Sequence, residues 1–233
     1  LAASRTIGTS TQLQSALTDP SASPKDKEAL LSALFGSLSP AALALLTAMA
    51  QQRWSNAEEF LAGLEEIGIR AVASSTSAEA GLEAELFTFG AAVASDAELE
   101  LALGSKRGSA EGKRSLVESL LADNASTQAV AIAGHLVQQP RGRRIGELVR
   151  TGAAIVADSF GKGIATVSVA RPLSDEQRAS IGAMLRERYG RDHTLNQVID
   201  PALVGGVRVQ VGDDVIDGSV AARLAELTLR LAG

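Results

Sequence analysis

The sequence predicts a mainly α chain with a small α+β C-terminal module, and three observations carry that prediction. Hydrophobic residues make up 45% of the 233 residues but aromatic residues only 3%. Cores without large rings must be built from Ala, Leu, Val and Ile, which favours close-packed helices over a sandwich. Apolar residues recur at helical spacing through the first two-thirds of the chain, and from about Gly161 the spacing changes to the alternation of strands.

Ser23-Pro24-Lys25-Asp26 sets a capping Ser before a Pro at the first helical position, with an Asp three residues on from the cap. Leu30, Leu31, Leu34 and Phe35 continue as one apolar stripe up to Gly36. Ser39-Pro40 opens a second helix by the same device, with Leu43, Leu46 and Ala50 on one face, and Phe60, Leu61, Leu64 and Ile67 mark a third. Further helices are expected over Ala78–Val93, Ala97–Leu103, Ala110–Leu121, Thr127–Gln138 and Gly142–Phe160.

These helices repeat. Leu13, Ala16 and Leu17 recur as Leu99, Ala102 and Leu103, and Ser23, Lys27, Leu30 and Leu34 recur as Ser109, Lys113, Leu116 and Leu120. After a one-residue insertion, Ser39, Ala44, Gln51, Gln52 and Leu61 pair with Ser126, Ala131, Gln138, Gln139 and Leu148. Scattered Ala and Leu matches arise by chance, but an ordered series ending in a Gln-Gln pair does not. The second copy has a lead-in helix at Ala78–Val93, whose counterpart would fall before Leu1. The expectation is therefore a first helical unit at 1–75 lacking its N-terminal helix, and a second at 76–161.

Residues 162–233 read as a βαββα-like domain. Gly163–Ala170 alternates, and Arg171-Pro172-Leu173 ends the strand. Ser174 with Glu176 and Gln177 caps a helix to about Tyr189, and Thr194–Ile199 alternates again. Val207, Val209 and Val211 share a face, Gly212-Asp213-Asp214 turns the chain, and Val215-Ile216-Asp217 returns. Ser219–Leu231 is amphipathic, with Val220, Leu224, Leu227 and Leu231 on one stripe.

Composition excludes several function classes. With 22 Lys+Arg against 27 Asp+Glu the chain carries a net charge of −5, a poor match to phosphate backbones. The absence of Cys removes disulfides, thiolate metal sites and thiol nucleophiles. His135 and His193, the two histidines, are far apart in sequence and read as hydrogen-bonded or exposed side chains. No run approaches the roughly 18 apolar residues of a membrane span, and no basic segment precedes an apolar core at the start.

The C-terminal run Val198-Ile199-Asp200-Pro201-Ala202-Leu203-Val204-Gly205-Gly206-Val207, continuing through Gly212-Asp213 to Asp217-Gly218-Ser219 and Arg223-Leu224, closely resembles the signature of the delta-subunit family of F-type ATP synthases. The mitochondrial relative of that family is the oligomycin-sensitivity-conferring protein. The signature residues are Asp200, Gly205, Gly206, Val207, Gly212, Asp217, Gly218, Ser219, Arg223 and Leu224, and the doubled helical unit is similar to actinobacterial forms. The resemblance implies a peripheral-stalk subunit linking the alpha/beta head of F1 to the stalk, so that the head does not turn with the rotor. It implies an alpha-subunit N-terminal helix held by a helical unit, and b-type stalk subunits held by the C-terminal module. The second copy, which runs straight into that module, is the expected equivalent of the single bundle of ordinary relatives. No catalytic, cofactor-binding or metal site is implied, and no nucleic acid. The implied location is the cytoplasmic side of a bacterial cell membrane, peripheral and through the complex. A stand-alone helical-repeat adaptor is the alternative, with an enzyme a distant third.

On physical grounds, Gly205 and Gly206 allow a tight approach to the strand, and Asp217 or Ser219 is placed to cap the last helix. No G-x-x-x-x-G-K-[ST] accompanies these glycines, and no G-x-S-x-G surrounds Ser159 or Ser168. Glu65 with Glu66 and Asp213 with Asp214 are expected at the solvated surface. Arg141, Arg143 and Arg144 form the one basic cluster. They sit at a helix start, where the dipole disfavours cations, so they read as a solvated turn or as a contact to an acidic protein surface. Trp54, the only Trp, is expected to pack locally.

Overall fold

The computed structural model describes residues 1–105, 107–122 and 124–220. The first five helices are α1 (Ala2–Gly8), α2 (Thr11–Thr18), α3 (Pro24–Phe35), α4 (Pro40–Gln51) and α5 (Ala57–Ala73). The next five are α6 (Leu82–Ser95), α7 (Ala97–Gly104), α8 (Ala110–Leu121), α9 (Thr127–Gln138) and α10 (Ile145–Ser159). The α/β part contains β1 (Gly163–Val169), α11 (Asp175–Tyr189), β2 (His193–Ile199), β3 (Val207–Val211) and β4 (Asp214–Asp217).

The two sets of helices match. Helices α2, α3 and α4 have the same lengths as α7, α8 and α9. Their starts use equivalent caps. Ser23 and Ser109 each accept a backbone N–H three residues on, and so do Ser39 and Ser126. Helix α1 corresponds to the second half of α6. Lys27 and Lys113 are both buried, and Lys27 Nζ donates to Ala50 O at 2.9 Å, at the C-terminal end of α4 where the helix dipole favours a cation.

At the last pair the register differs from the expected Leu61–Leu148 match. The buried residues Phe60, Leu61, Leu64, Glu65, Gly68 and Ile69 of α5 follow the same pattern as Leu148, Val149, Gly152, Ala153, Val156 and Ala157 of α10. Leu61 therefore corresponds to Val149, because the α9–α10 loop is one residue longer than the α4–α5 loop. Leu34, placed on the core stripe by its spacing, is 50% exposed at the stripe's edge. Two predicted starts shift inward. Helix α6 begins at Leu82 behind Gly81, and α10 begins at Ile145.

Each set of helices has its own core. One contains Ile7, Leu17, Leu31, Phe60 and Leu64, and the other Leu82, Leu86, Val93, Ile132, Leu136 and Val149. Ile69 and Ala73 at the end of α5 belong to the second core, so α5 serves both bundles. In the second bundle α6 and α10 cross at a pair of glycines. A Cβ on Gly146 would lie 2.7 Å from Ala94 Cβ and 2.8 Å from Gly90 O. Only glycine permits this approach.

The sheet has strand order β2-β1-β3-β4, with β1 and β2 parallel and the other pairs antiparallel. Helix α11 makes the crossover between the parallel strands, starting with a capping box at Ser174 and Gln177. Ala165, Val167, Val169 and Val209 pack with Leu185 of α11 on one face. On the other face Ile164 and Val198 pack against the second helical core. The predicted helix Ser219–Leu231, apart from Ser219 and Val220, lies outside the described residues, as do Arg223 and Leu224.

The glycine crossing yields the first prediction. Gly146→Val should lower the unfolding free energy by about 2–3 kcal/mol, because overpacking here meets backbone as well as side chain. Gly182→Ala on α11, where a Cβ meets nothing within 4 Å, should be neutral or slightly stabilising. Urea unfolding of both variants against the parent chain measures the difference.

Candidate functional site

The signature residues build the corner between β3, β4 and the residues that follow. Gly206 has φ +83°, and a Cβ there would sit 2.4 Å from Gly218 O and 2.7 Å from Ser219 Cα, so two segments touch backbone to backbone. Val220 N donates to Gly205 O at 3.0 Å, and Gly218 N donates to Val207 O at 2.9 Å. Asp217 Oδ1 accepts from Ser219 N at 2.9 Å, and its other oxygen accepts from Arg208 Nε at 3.2 Å. Asp217 thus turns the chain at Ser219. Asp200 fixes the other approach, its N–H donating to Val169 O while its carboxylate accepts from Ala202 N. Gly212 supplies the left-handed residue of the β3–β4 turn. Gly205 needs no positive φ, and a Cβ there would only press on Val220.

The basic cluster has its partner within the chain. Arg143 donates to both oxygens of Glu65, at 2.8 and 2.9 Å, and Arg141 adds a third bond at 2.7 Å. Glu65 is 7% exposed, so the expectation of a solvated carboxylate is corrected, as is that of a solvated basic turn. A carboxylate buried in a bundle needs such a fork to offset its desolvation. Arg141 takes φ +49° to reach it, a backbone state uncommon outside glycine. Nearby, Arg5 donates to Gln138 Oε1, and Gln139 Nε2 donates to Arg5 O at 3.0 Å. The repeated Gln-Gln pair therefore joins the bundles in its second copy. Helix α10, which starts with Arg144 and no side-chain cap of its own, is capped by Glu100 of α7. That carboxylate accepts from Ile145 N and Gly146 N at 2.6 and 3.0 Å.

A second seam joins the helices to the sheet. Glu83 of α6 is 2% exposed and accepts from Lys162 Nζ at 3.3 Å and Thr194 Oγ1 at 3.0 Å. Arg70 of α5 bonds Asp158 at 2.9 Å, and Arg191 reaches the same carboxylate from the sheet side at 3.3 Å. The Arg70 bond holds the Asp158 carboxyl below its ordinary range. Spacing alone gave no sign of Glu83, Glu65 or Glu100 as seam residues, since their partners lie 45 to 111 positions away.

The other singled-out residues have local roles. Trp54 tilts against Phe60 with centroids 5.6 Å apart and donates its indole N–H to Met49 O at 2.8 Å. His135 is 3% exposed with Nδ1 unpaired, which corrects the expectation of a hydrogen-bonded or exposed ring. Burial, reinforced by the positive charges of the amino terminus, Arg5, Arg141 and Arg143, pushes its pKa down to about 3. His193 Nδ1 bonds Arg191 O at 2.9 Å. Asp213 and Asp214 are both exposed, as expected, and Asp214 also bonds Tyr189 and Arg188. Among the described residues no group of three His, Cys, Asp or Glu is arranged to hold a metal, and no helix is long and apolar enough to cross a membrane.

Two surfaces flank α6. One is a cleft of about 830 Å³ between α10 and the sheet, with Phe87 and Ala154 in its lining and Glu147, Arg150, Asp158, Lys162 and Arg191 around it. The other is an apolar groove lined by Phe89, Leu99, Leu120 and Leu121. The one ionisable residue lining that groove, Glu85, already accepts from the backbone and hydroxyl of Ser126.

Residues 69–231 match the family model of the ATP synthase delta (OSCP) subunit. The ATP synthase subunit delta of Leifsonia xyli subsp. xyli (strain CTCB07) is 48% identical over 232 residues, covering 100% of this chain and 88% of that protein. Those of Arthrobacter sp. (strain FB24) and Thermobifida fusca (strain YX) are 40% and 39% identical, covering 98% and 93% of this chain and 87% and 82% of theirs. The chain belongs to the ATP synthase delta (OSCP) subunit family. It is a non-catalytic peripheral-stalk subunit of a membrane-associated F-type synthase, and its partners are other subunits of that complex.

Two predictions come from the seams. Glu65→Ala leaves two arginines facing each other without their carboxylate. It should cost about 2–3 kcal/mol, less than a fully buried pair because both arginines reach solvent; chemical denaturation reads this directly. His135 stays neutral when folded down to about pH 3, whereas the unfolded chain takes up a proton near pH 6.5. Stability present above pH 6.5 is therefore lost as pH falls toward 3. Unfolding curves at pH 7 and pH 5 should show a smaller loss for His135→Met than for the parent.

Proposed function

We propose that this chain joins the alpha/beta head of F1 to b-type stalk helices through three parts. These are a helical unit at 1–75, a second at 76–161, and an α/β stalk-docking module at 162–233. The observation that carries the reading is where the family match falls. It begins at residue 69, inside α5, and takes in α6–α10 and the sheet, so the second bundle with the module corresponds to the family's common part. The second bundle accordingly holds the alpha-subunit N-terminal helix, and the module holds the stalk on the cytoplasmic side of the membrane. The first bundle, locked on through Glu65, extends the arm.

The cleft between α10 and the sheet suits an amphipathic helix better than the apolar groove on the other side of α6. Phe87 and Ala154 offer apolar contact, while Arg150, Lys162, Glu147 and Asp158 supply both charge signs to fix register and direction. The apolar groove offers area without register. No step here requires a reacting group. The load is carried by burial and by the two charged seams.

Titration calorimetry with a cognate alpha N-terminal peptide of about 25 residues, several helical turns long, tests the assignment. Tight binding with a negative heat-capacity change is expected. Ala154→Asp should weaken it at least about tenfold, one uncompensated charge against an apolar face, while Leu120→Asp leaves it unchanged. Binding lost on Leu120→Asp and kept on Ala154→Asp would move the site to the other groove.

A further inference from the structure

Cations in the cleft between α10 and the sheet differ in what holds them. Lys162 is paired with Glu83, and Arg191 with Asp158. Arg150 is partly buried, and its Nε donates to Gly146 O at 3.3 Å, one turn back on its own helix. Among the described residues no carboxylate pairs with it, and its two terminal nitrogens have no hydrogen-bond partner. The side chain is nonetheless seated. Its stem lies across Gly90 of α6, where a Cβ would stand 3.0 Å from Arg150 Cγ and 3.2 Å from Arg150 N. Two helices thus hold a long cation in a definite place, with most of its donor fork unused.

The first bundle lacks this arrangement. The buried patterns of α5 and α10 make Ala62 the counterpart of Arg150, and Glu66 that of Ala154. Ile7 and Val93, both fully buried, make Ser4 the counterpart of Gly90. The arginines that share a cleft with Ala62, Arg141 and Arg143, are bonded to Glu65.

We propose that Arg150 selects the occupant of the cleft by taking a carboxylate, from an Asp or Glu on the charged flank of an amphipathic helix, through a forked pair of hydrogen bonds. The inference rests on the reading of that cleft as the seat of the alpha N-terminal helix. It adds the residue type the helix carries there and a reason why the second bundle receives it. A guanidinium fork grips a carboxylate at both oxygens, and so fixes the rotation of the helix as well as its register. Glu147, one turn before Arg150, and Asp158, two turns after it, repel further acids. The helix therefore carries one acid at this point, flanked by neutral or basic residues. In the first bundle the same acid would face Ala62, one turn from the like charge of Glu66.

The test is a double-mutant cycle, read by titration calorimetry of the full chain with the cognate alpha N-terminal peptide. Arg150→Met keeps a stem over Gly90 and removes the fork. It should weaken binding about tenfold, the scale of one charge-assisted pair, with the unfolding midpoint unchanged. Arg150→Lys restores the charge without the fork and should recover only part of the loss. Peptides with each Asp or Glu changed in turn to Asn or Gln then locate the partner. One of them should bind the parent chain about tenfold more weakly, and lose nothing further on Arg150→Met. Unchanged affinity of Arg150→Met for the parent peptide, or losses that add at every acid, overturns the proposal. If Ala154→Asp still weakens binding in that case, the reading of the cleft stands without it. Failure of the peptide to bind the parent chain overturns both.

Discussion

A carboxylate inside a packed bundle is costly unless donors reach it, and in this chain the donors come from a neighbouring part of the molecule. Glu65 is satisfied at both oxygens by arginines of the α9–α10 loop, and Glu83 at one oxygen by Lys162 and Thr194 beside and within the sheet, its other oxygen being buried without a partner. Neither acid could stay buried if the parts separated. The three regions, each with its own apolar core, are thereby bound into one body by polar contacts whose loss would leave charge stranded. Apolar burial builds each part, and the buried acids fix how the parts meet.

That division explains what was legible in the sequence. Helix starts were readable because capping is local. Ser23 and Ser39 each act within three residues and cap the helices assigned to them, and their repeat counterparts Ser109 and Ser126 do the same. The α+β module was readable from alternation and from the glycines of its corner, where Gly206 turned out to be required by backbone contact. The seams were not readable. Glu65 beside Glu66 looks like any charged helical face, and only the fold brings Arg143 to it across 78 positions. The basic cluster looked misplaced at a helix start because Glu100, the acid that caps that helix, comes from another helix.

A stator part is loaded sideways and repeatedly, and such a role asks for stiffness at joints more than for any reactive group. The structure places its charge networks at the joints. The Glu65 fork lies between the bundles, Glu83 lies beneath the sheet, and Asp158 is shared by Arg70 and Arg191. Helix α5, whose residues enter both helical cores, runs through the first joint as a strut.

The extra residue in the α9–α10 loop has a consequence for how many units such a chain can stack. Two similar bundles joined end to end form a heterologous contact, and a contact of that kind repeated identically would propagate into a fibre. Here it does not repeat. The longer loop of the second bundle carries the arginines that grip Glu65. The shorter loop of the first carries Trp54, folded back onto its own Phe60, and the counterpart of Glu65 on α10 is Ala153. Neither of these two sites repeats the grip that the joint uses, so the same contact does not propagate from one copy of the chain to the next.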